Sequence, residues 1–353
     1  MMNPLQILQH YWHHEQFRGN QEVIIDAVLN KKDVLALLPT GGGKSICFQV
    51  PALLMDGVCL VISPLIALMK DQVANLNQRN ITATSLHGGL TTDEVHQLLE
   101  DTCNGVYKFL YVSPERLEST VFKSYLPHLN CCLIAVDEAH CVSQWGYDFR
   151  PPYMRIAAIR YELKQVPIIA LTASATPLVQ KDIIEKLKLR KPTLFKQSFE
   201  RANLSYSVFK ADSKINKLLN ILNKVQGSSI VYCKSRNETK SVANLLALQK
   251  LSVDYYHAGL TSEERNNKQE KWINNEVRIM VCTNAFGMGI DKATVRTVIH
   301  YDLPECLESY YQEAGRAGRD GLKAYAVLLY NSEDIKRLKD LVNTRFPSFN
   351  DIK

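Results

Sequence analysis

Short apolar runs rich in β-branched residues recur along this chain, and the stretches between them carry helical periodicity. From residue 33, DVLALLP, VCLVISP, KFLYVSP, CCLIAVDE and VPIIALTAS are separated by segments such as LIALMKDQVANLNQ and TPLVQKDIIEKLKL. Runs of this kind, without polar alternation, suit strands covered on both faces, and strands joined through helices run parallel. The rhythm loosens over FKQSFERANLSYSVFKADS (195–213) and resumes with SSIVYCKS, SVDYYHAG, RIMVCTNA, VRTVIHYDLP and AYAVLLYN. A length of 353 residues exceeds one usual core. The expectation is α/β: two tandem domains, residues 1–203 and 204–353, each a mostly parallel sheet flanked by helices. Ligands then belong at the carboxyl ends of the strands and in the cleft between the domains.

Composition narrows the class. With 46% hydrophobic and 22% charged residues the chain has ordinary globular makeup, which excludes disorder. No apolar run reaches the roughly 18 residues of a membrane span, and MMNPLQILQHYWHHEQFR lacks the order of a signal peptide, so a cytoplasmic chain without a membrane partner is expected. None of the nine cysteines forms a C-x-x-C pair, and they read as reduced core residues; zinc is not expected. The histidines His13 and His14 have no companion ligand pattern. The net charge of +6 suits a polyanion partner without requiring one. The chain stops soon after the helical pattern NSEDIKRLKDLVNTRF, as a piece of a longer protein would.

Three motifs carry chemistry. The strand DVLALLP enters TGGGKS (40–45) and then a helix, the context of a phosphate-binding loop: Gly41, Gly42 and Gly43 let backbone N–H groups face phosphate, Lys44 reaches the β and γ oxygens, and Ser45 holds Mg²⁺. Leu38 stands where the first glycine of the usual pattern belongs. LIAVDEAH (133–140) is an apolar strand ending in carboxylates, set on a strand neighbouring the loop strand: Asp137 for Mg²⁺, Glu138 to orient and deprotonate water. In QEAGRAGRDG (312–321), Arg316 and Arg319 lie three apart on one helical or turn face, suited to the charge that develops in phosphoryl transfer.

With these motifs on the page, the chain resembles the helicase core of the RecQ family, in helicase superfamily 2. The resemblance rests on FRGNQ, LPTGGGKS, SPLIALMKDQ, YVSPERL, DEAHCVSQWGYDFRP, LTASATP, IVYCKSR, YHAGL, TNAFGMGIDK and SYYQEAGRAGRDG, over residues 5 to 343. It implies two RecA-like domains with a nucleotide cleft between them, ATP and Mg²⁺ as cofactors, and a 3′ to 5′ DNA translocase and helicase of DNA repair and recombination. Its partners would be single-stranded DNA and tailed or forked duplex, and it would act as a monomer, associated with the nucleoid if bacterial. It further implies that Gln21, Arg18 and His14 take the adenine, and that Gln312 and Asp291 join the nucleotide site. The DNA track would use Ser63, Lys70, Ser235, Arg236, Thr283 and Asn284. Trp145, Tyr147 and Arg150 would form an aromatic loop that senses DNA, with Phe149 as its core residue. Rings stack on bases without regard to sequence, and Gly146, Pro151 and Pro152 keep the segment out of regular structure.

Departures qualify this. His14 replaces an aromatic ring, Tyr147 a histidine, and Ala202 a proline at the interdomain hinge. Nothing in the sequence supplies the cysteine-ligated zinc module or winged helix of fuller family members, so translocation is expected ahead of efficient unwinding. Two other readings remain: an RNA-remodelling helicase, since Ser174, Ala175 and Thr176 spell a triplet those enzymes also carry, and an ATP-gated clamp that does not translocate.

Overall fold

Among the described residues two all-parallel sheets build the fold, one of seven strands and one of six. The computed structural model describes residues 2–146, 148–286 and 292–345. Tyr147 and Asp291 lie outside the described residues. The chain divides into two units, Met1–Phe199 and Glu200–Lys353.

In the first unit α1 (Pro4–Trp12) and α2 (Gln21–Leu29) precede β1 (Val34–Leu37). There follow α3 (Ile46–Leu54), β2 (Val58–Ile62), α4 (Ile66–Asn77), β3 (Ala83–Leu86), α5 (Thr92–Cys103) and β4 (Phe109–Val112). Then come α6 (Thr120–Tyr125), β5 (Cys131–Val136), α7 (Ile156–Glu162), β6 (Ile168–Thr172), α8 (Pro177–Lys186) and β7 (Thr193–Lys196). Alternate side chains leave opposite faces of a strand, and the core divides accordingly. Leu35, Leu37, Leu60, Ile62, Ile134 and Val136 pack under α5 to α8. Val34, Ala36, Cys59, Val61, Leu133 and Ala135 pack under α2 to α4.

The second unit runs β8 (Leu204–Lys210), α9 (Lys214–Lys224), β9 (Ser228–Tyr232), α10 (Arg236–Leu248), β10 (Val253–Tyr256), α11 (Ser262–Ile273) and β11 (Ile279–Cys282). It ends with β12 (Val295–His300), α12 (Leu307–Ala314), β13 (Ala324–Tyr330) and α13 (Ser332–Arg345). Val231, Ile279, Val281 and Ile299 face α9 and α10, while Ile230, Met280 and Val298 face Trp272 of α11.

Two structural findings differ from the sequence reading. Strands β3, β7 and β8 were not foreseen; each is an edge strand bonded on one side only, and their part-exposed faces interrupt the apolar run. The strand ending at Asp137 does not neighbour β1, because β6 pairs with both and lies between them. All nine cysteines are free thiols.

Candidate functional site

Between β1 and α3 the chain turns tightly. Gly41 and Gly43 take φ of 78° and 70°, in the left-handed region that side chains disfavour. A Cβ on Gly43 would stand 2.3 Å from Gln21 Nε2. That contact exists because Gln21 staples the loop: its Nε2 donates to the carbonyls of Gly42 and Gly43 at 3.2 and 3.1 Å, and its Oε1 accepts from Arg18 N at 2.9 Å. The amide expected to read adenine is therefore buried and occupied by the loop, while His14 and Arg18 are exposed. Thr40 Oγ1 is buried and finds no partner among the described residues, and Ser45 stands immediately before α3.

Lys44 reaches across the width of β6. Its Nζ meets Glu138 Oε1 at 3.0 Å, closing a compact ionic group with Asp137, whose Oδ1 accepts from Glu138 N at 2.9 Å. Glu138 takes the left-handed conformation at φ 46°, uncommon for a residue with a side chain and worth on the order of 1 kcal/mol of strain. Burial and the Glu138 charge raise Asp137 to about 6, against the opposing pull of Lys44. The hydroxyl of Ser45 and the carboxylate of Asp137 are hard oxygen donors, which fits Mg²⁺. A divalent charge there would relieve the repulsion between the two carboxylates.

The strand end also anchors the aromatic segment. His140 Nδ1 hydrogen-bonds with Thr172 Oγ1 at 2.9 Å and lies 3.4 Å from Glu138 Oε2, so the segment after β5 is tied to the end of β6. Tyr153 OH donates to the Asp137 carbonyl at 2.9 Å. Arg150 N donates to Cys141 O at 2.9 Å, and this pins the two ends of the segment. Ser143 Oγ accepts from Trp145 N and donates to Asp182 at 2.7 Å. Gly146 is required, because a Cβ there would approach the His140 carbonyl to 2.7 Å. Trp145 projects with 69% of its surface exposed, whereas Tyr153 is fully buried. Phe149 is only partly buried, so the core residue of the segment is Tyr153 and not Phe149 as expected. Arg150 bonds Asp148 Oδ2 and the Pro64 carbonyl, so its guanidinium already works as a brace. His140, Cys141 and Asp148 place donor atoms within 4.8 Å of one another. Asp148 is held by Arg150 and burial pushes the Cys141 thiol far up, so this triplet roots the segment.

The proposed nucleic-acid contacts occupy strand ends and helix starts. Ser63 is buried just past β2 and its Oγ has no partner among the described residues, and Lys70 is exposed on α4. In the second unit Ser235 caps α10 by accepting from Glu238 N at 3.1 Å. Arg236 and Asn284 are exposed and Thr283 is buried.

Gln312 is partly buried on α12, and Arg316 and Arg319 fall in the turns beyond its end at Ala314. These turns are held by a residue that sequence reasoning passed over. The Arg201 guanidinium donates to the carbonyls of Gly315, Ala317 and Gly318 at 2.8, 2.8 and 2.6 Å. Asn203 Nδ2 adds bonds to Gly318 and Leu322. Arg201 and Asn203 both belong to the unit Glu200–Lys353. Tyr232 hydrogen-bonds Arg316 and donates its hydroxyl proton to the Phe286 carbonyl. His300 stacks on Tyr232 and meets Glu313 Oε2 at 2.8 Å.

The DEAD/DEAH box helicase family matches residues 18–183 and the helicase conserved C-terminal domain residues 213–321. The ATP-dependent DNA helicase RecQ of Bacillus subtilis is 43% identical over 333 residues, covering 93% of this chain and 56% of its own. The probable ATP-dependent DNA helicase RecS of the same organism is 39% identical over 342 residues, covering 96% and 68%. The chain belongs to the RecQ family. This RecQ-family chain spans about half the length of the curated RecQ relatives it matches. Among solved structures, the helicase MrfA bound to DNA aligns with a TM-score of 0.81 at 18% identity, over 98% of this RecQ-family chain and 54% of that one, a likeness of fold. No helix among the described residues is long and apolar enough to cross a membrane.

Proposed function

We propose that the chain is the motor core of an ATP-dependent DNA helicase that moves 3′ to 5′ on single-stranded DNA, in repair and recombination. The observation that carries the reading is the Lys44–Glu138–Asp137 group at the carboxyl ends of β1 and β5, beside a loop whose backbone suits phosphate. The triphosphate enters as Lys44 leaves Glu138 for the β and γ oxygens. The freed Glu138 carboxylate then orients a water, which attacks the γ phosphorus while the bond to the ADP oxygen breaks, and Glu138 accepts the proton. Mg²⁺ held by Ser45 and Asp137 would neutralise charge on the phosphates. Arg316 and Arg319 supply the guanidinium charge that the transition state needs, a contribution of about 10³ to 10⁵ in rate, and Gln312 and Asp291 join the nucleotide site. Gln21 exchanges its loop carbonyls for the adenine edge, with Arg18 and His14 against the base.

In the same reading Trp145 and Tyr147 stack on bases, and DNA reaching them is felt at Asp137 and Glu138 through Tyr153 and His140. Ser63, Lys70, Ser235, Arg236, Thr283 and Asn284 hold backbone phosphates, which gives slight sequence preference and strong salt dependence. The Ser174–Ala175–Thr176 triplet is one that RNA-remodelling helicases also carry, while the aromatic loop and Gln312 argue against that alternative. Comparing ATP turnover with single-stranded DNA, RNA and no nucleic acid separates the readings. DNA stimulation is expected; stimulation by RNA alone would overturn the DNA reading, and absent turnover with DNA would leave a clamp. Strand displacement on 3′-tailed against 5′-tailed duplex tests the direction.

A further inference from the structure

At the end of the first sheet away from the phosphate loop, residues leading into β1, β6 and β7 enclose a cavity of about 360 Å³. Five cations line it, Lys31, Lys32, Arg160, Arg190 and Lys191, against the single carboxylate of Asp33. That carboxylate is already committed. It accepts from Ile168 N at 2.9 Å and Arg190 N at 2.6 Å, and it pairs with one Arg160 nitrogen. Arg160 is buried, with 5% of its surface exposed. One terminal nitrogen donates to the Val166 carbonyl at 2.6 Å, and its Nε–H finds no acceptor among the described residues. Burial, with the charge of Arg190 adding to it, lowers its pKa below the ordinary guanidinium value. Lys31 and Lys191 at the rim both take left-handed backbone, φ 58° and 41°, which fixes the rim at a cost on the order of 1 kcal/mol each.

An excess of positive charge around a buried guanidinium with an unused donor is a receptor for a multiply charged oxyanion, because charge-assisted bonds to phosphate are the strong ones. We propose that this cavity is a second phosphoryl-binding site, distinct from the loop at residues 40–45. The four residues of β1 set the two apart by about 13 Å. The ligand chemistry is a phosphate group, reaching the site either free or on a nucleic-acid backbone. Nothing in this proposal depends on the motor reading.

The test uses the Lys44→Ala chain, so that the phosphate loop contributes little, and follows its Tm as pyrophosphate is added. A rise is expected, and Lys31→Gln/Lys191→Gln should abolish most of it; Lys32→Gln, which leaves both left-handed positions untouched, should weaken it as well. In a second arm, duplex DNA affinity is measured against salt with Lys44 intact. A fall in the salt slope of about 1 per neutralised lysine assigns the site to backbone phosphate. Loss of the pyrophosphate response with an unchanged slope assigns it to free phosphate. Basal ATP turnover of the double variant should match wild type, and its Tm without ligand shows that it folds. A pyrophosphate response and a salt slope both indifferent to these lysines overturn the proposal.

Discussion

At the residue scale, the electrostatics of Asp137 give a direct handle. Its carboxyl is held near 6 in the fold, against about 3.9 in an unfolded chain. A raised acid binds its proton more tightly when folded, so its contribution to stability is full below the unfolded value. That contribution is lost as pH rises through the folded one. Asp137→Asn, whose side-chain oxygen still accepts from Glu138 N, should therefore gain on wild type by on the order of 1 kcal/mol between pH 5 and pH 7.5 without metal. Denaturant unfolding at the two values checks this, and equal differences at both would refute the assignment. Trp145 is the opposite kind of residue, large, exposed and without a packing duty. Trp145→Ala should keep basal hydrolysis and weaken single-stranded DNA binding by about 1 to 3 kcal/mol, with loss of stimulated turnover read in the same assay; a stimulated rate equal to wild type counts against a sensing loop.

At the scale of elements, what was legible in the sequence follows burial. Central strands such as VCLVI and CCLIAV are covered on both faces and announce themselves. The edge strands ATSL, TLFK and LSYSVFK show water half their side chains and look like linker. The ionic group of Lys44, Asp137 and Glu138 was legible because it is built from side chains at strand ends. Arg201, Asn203 and Tyr153 were not, since they act on backbone carbonyls, up to 119 positions away in the case of Asn203, and no residue-type pattern records a carbonyl partner. Phe149 and Tyr153 exchanged places for a related reason: the phenol of Tyr153 has a buried acceptor waiting in Asp137 O, so the more polar ring is the one enclosed. Arg201→Met, which keeps much of the apolar stem, removes three bonds to the turns carrying Arg316 and Arg319. It should cost about 2 kcal/mol of stability and lower kcat with little change in KM for ATP; a change confined to KM would contradict a positioning role.

In the whole molecule, the proposed function divides labour between two units of the same architecture. The first carries the glycine loop, lysine and carboxylates, and the second the braced arginines. In the proposed function neither set suffices alone for phosphoryl transfer, since charge held by the loop needs further cations as the bond breaks. ATP binding and ATP cleavage should therefore separate by mutation. The decisive measurement is single-turnover hydrolysis by Arg316→Ala at saturating ATP and single-stranded DNA, beside equilibrium ATP binding by the same protein. The account predicts near-normal binding with cleavage slowed about 10³-fold or more. Cleavage within tenfold of wild type would contradict it.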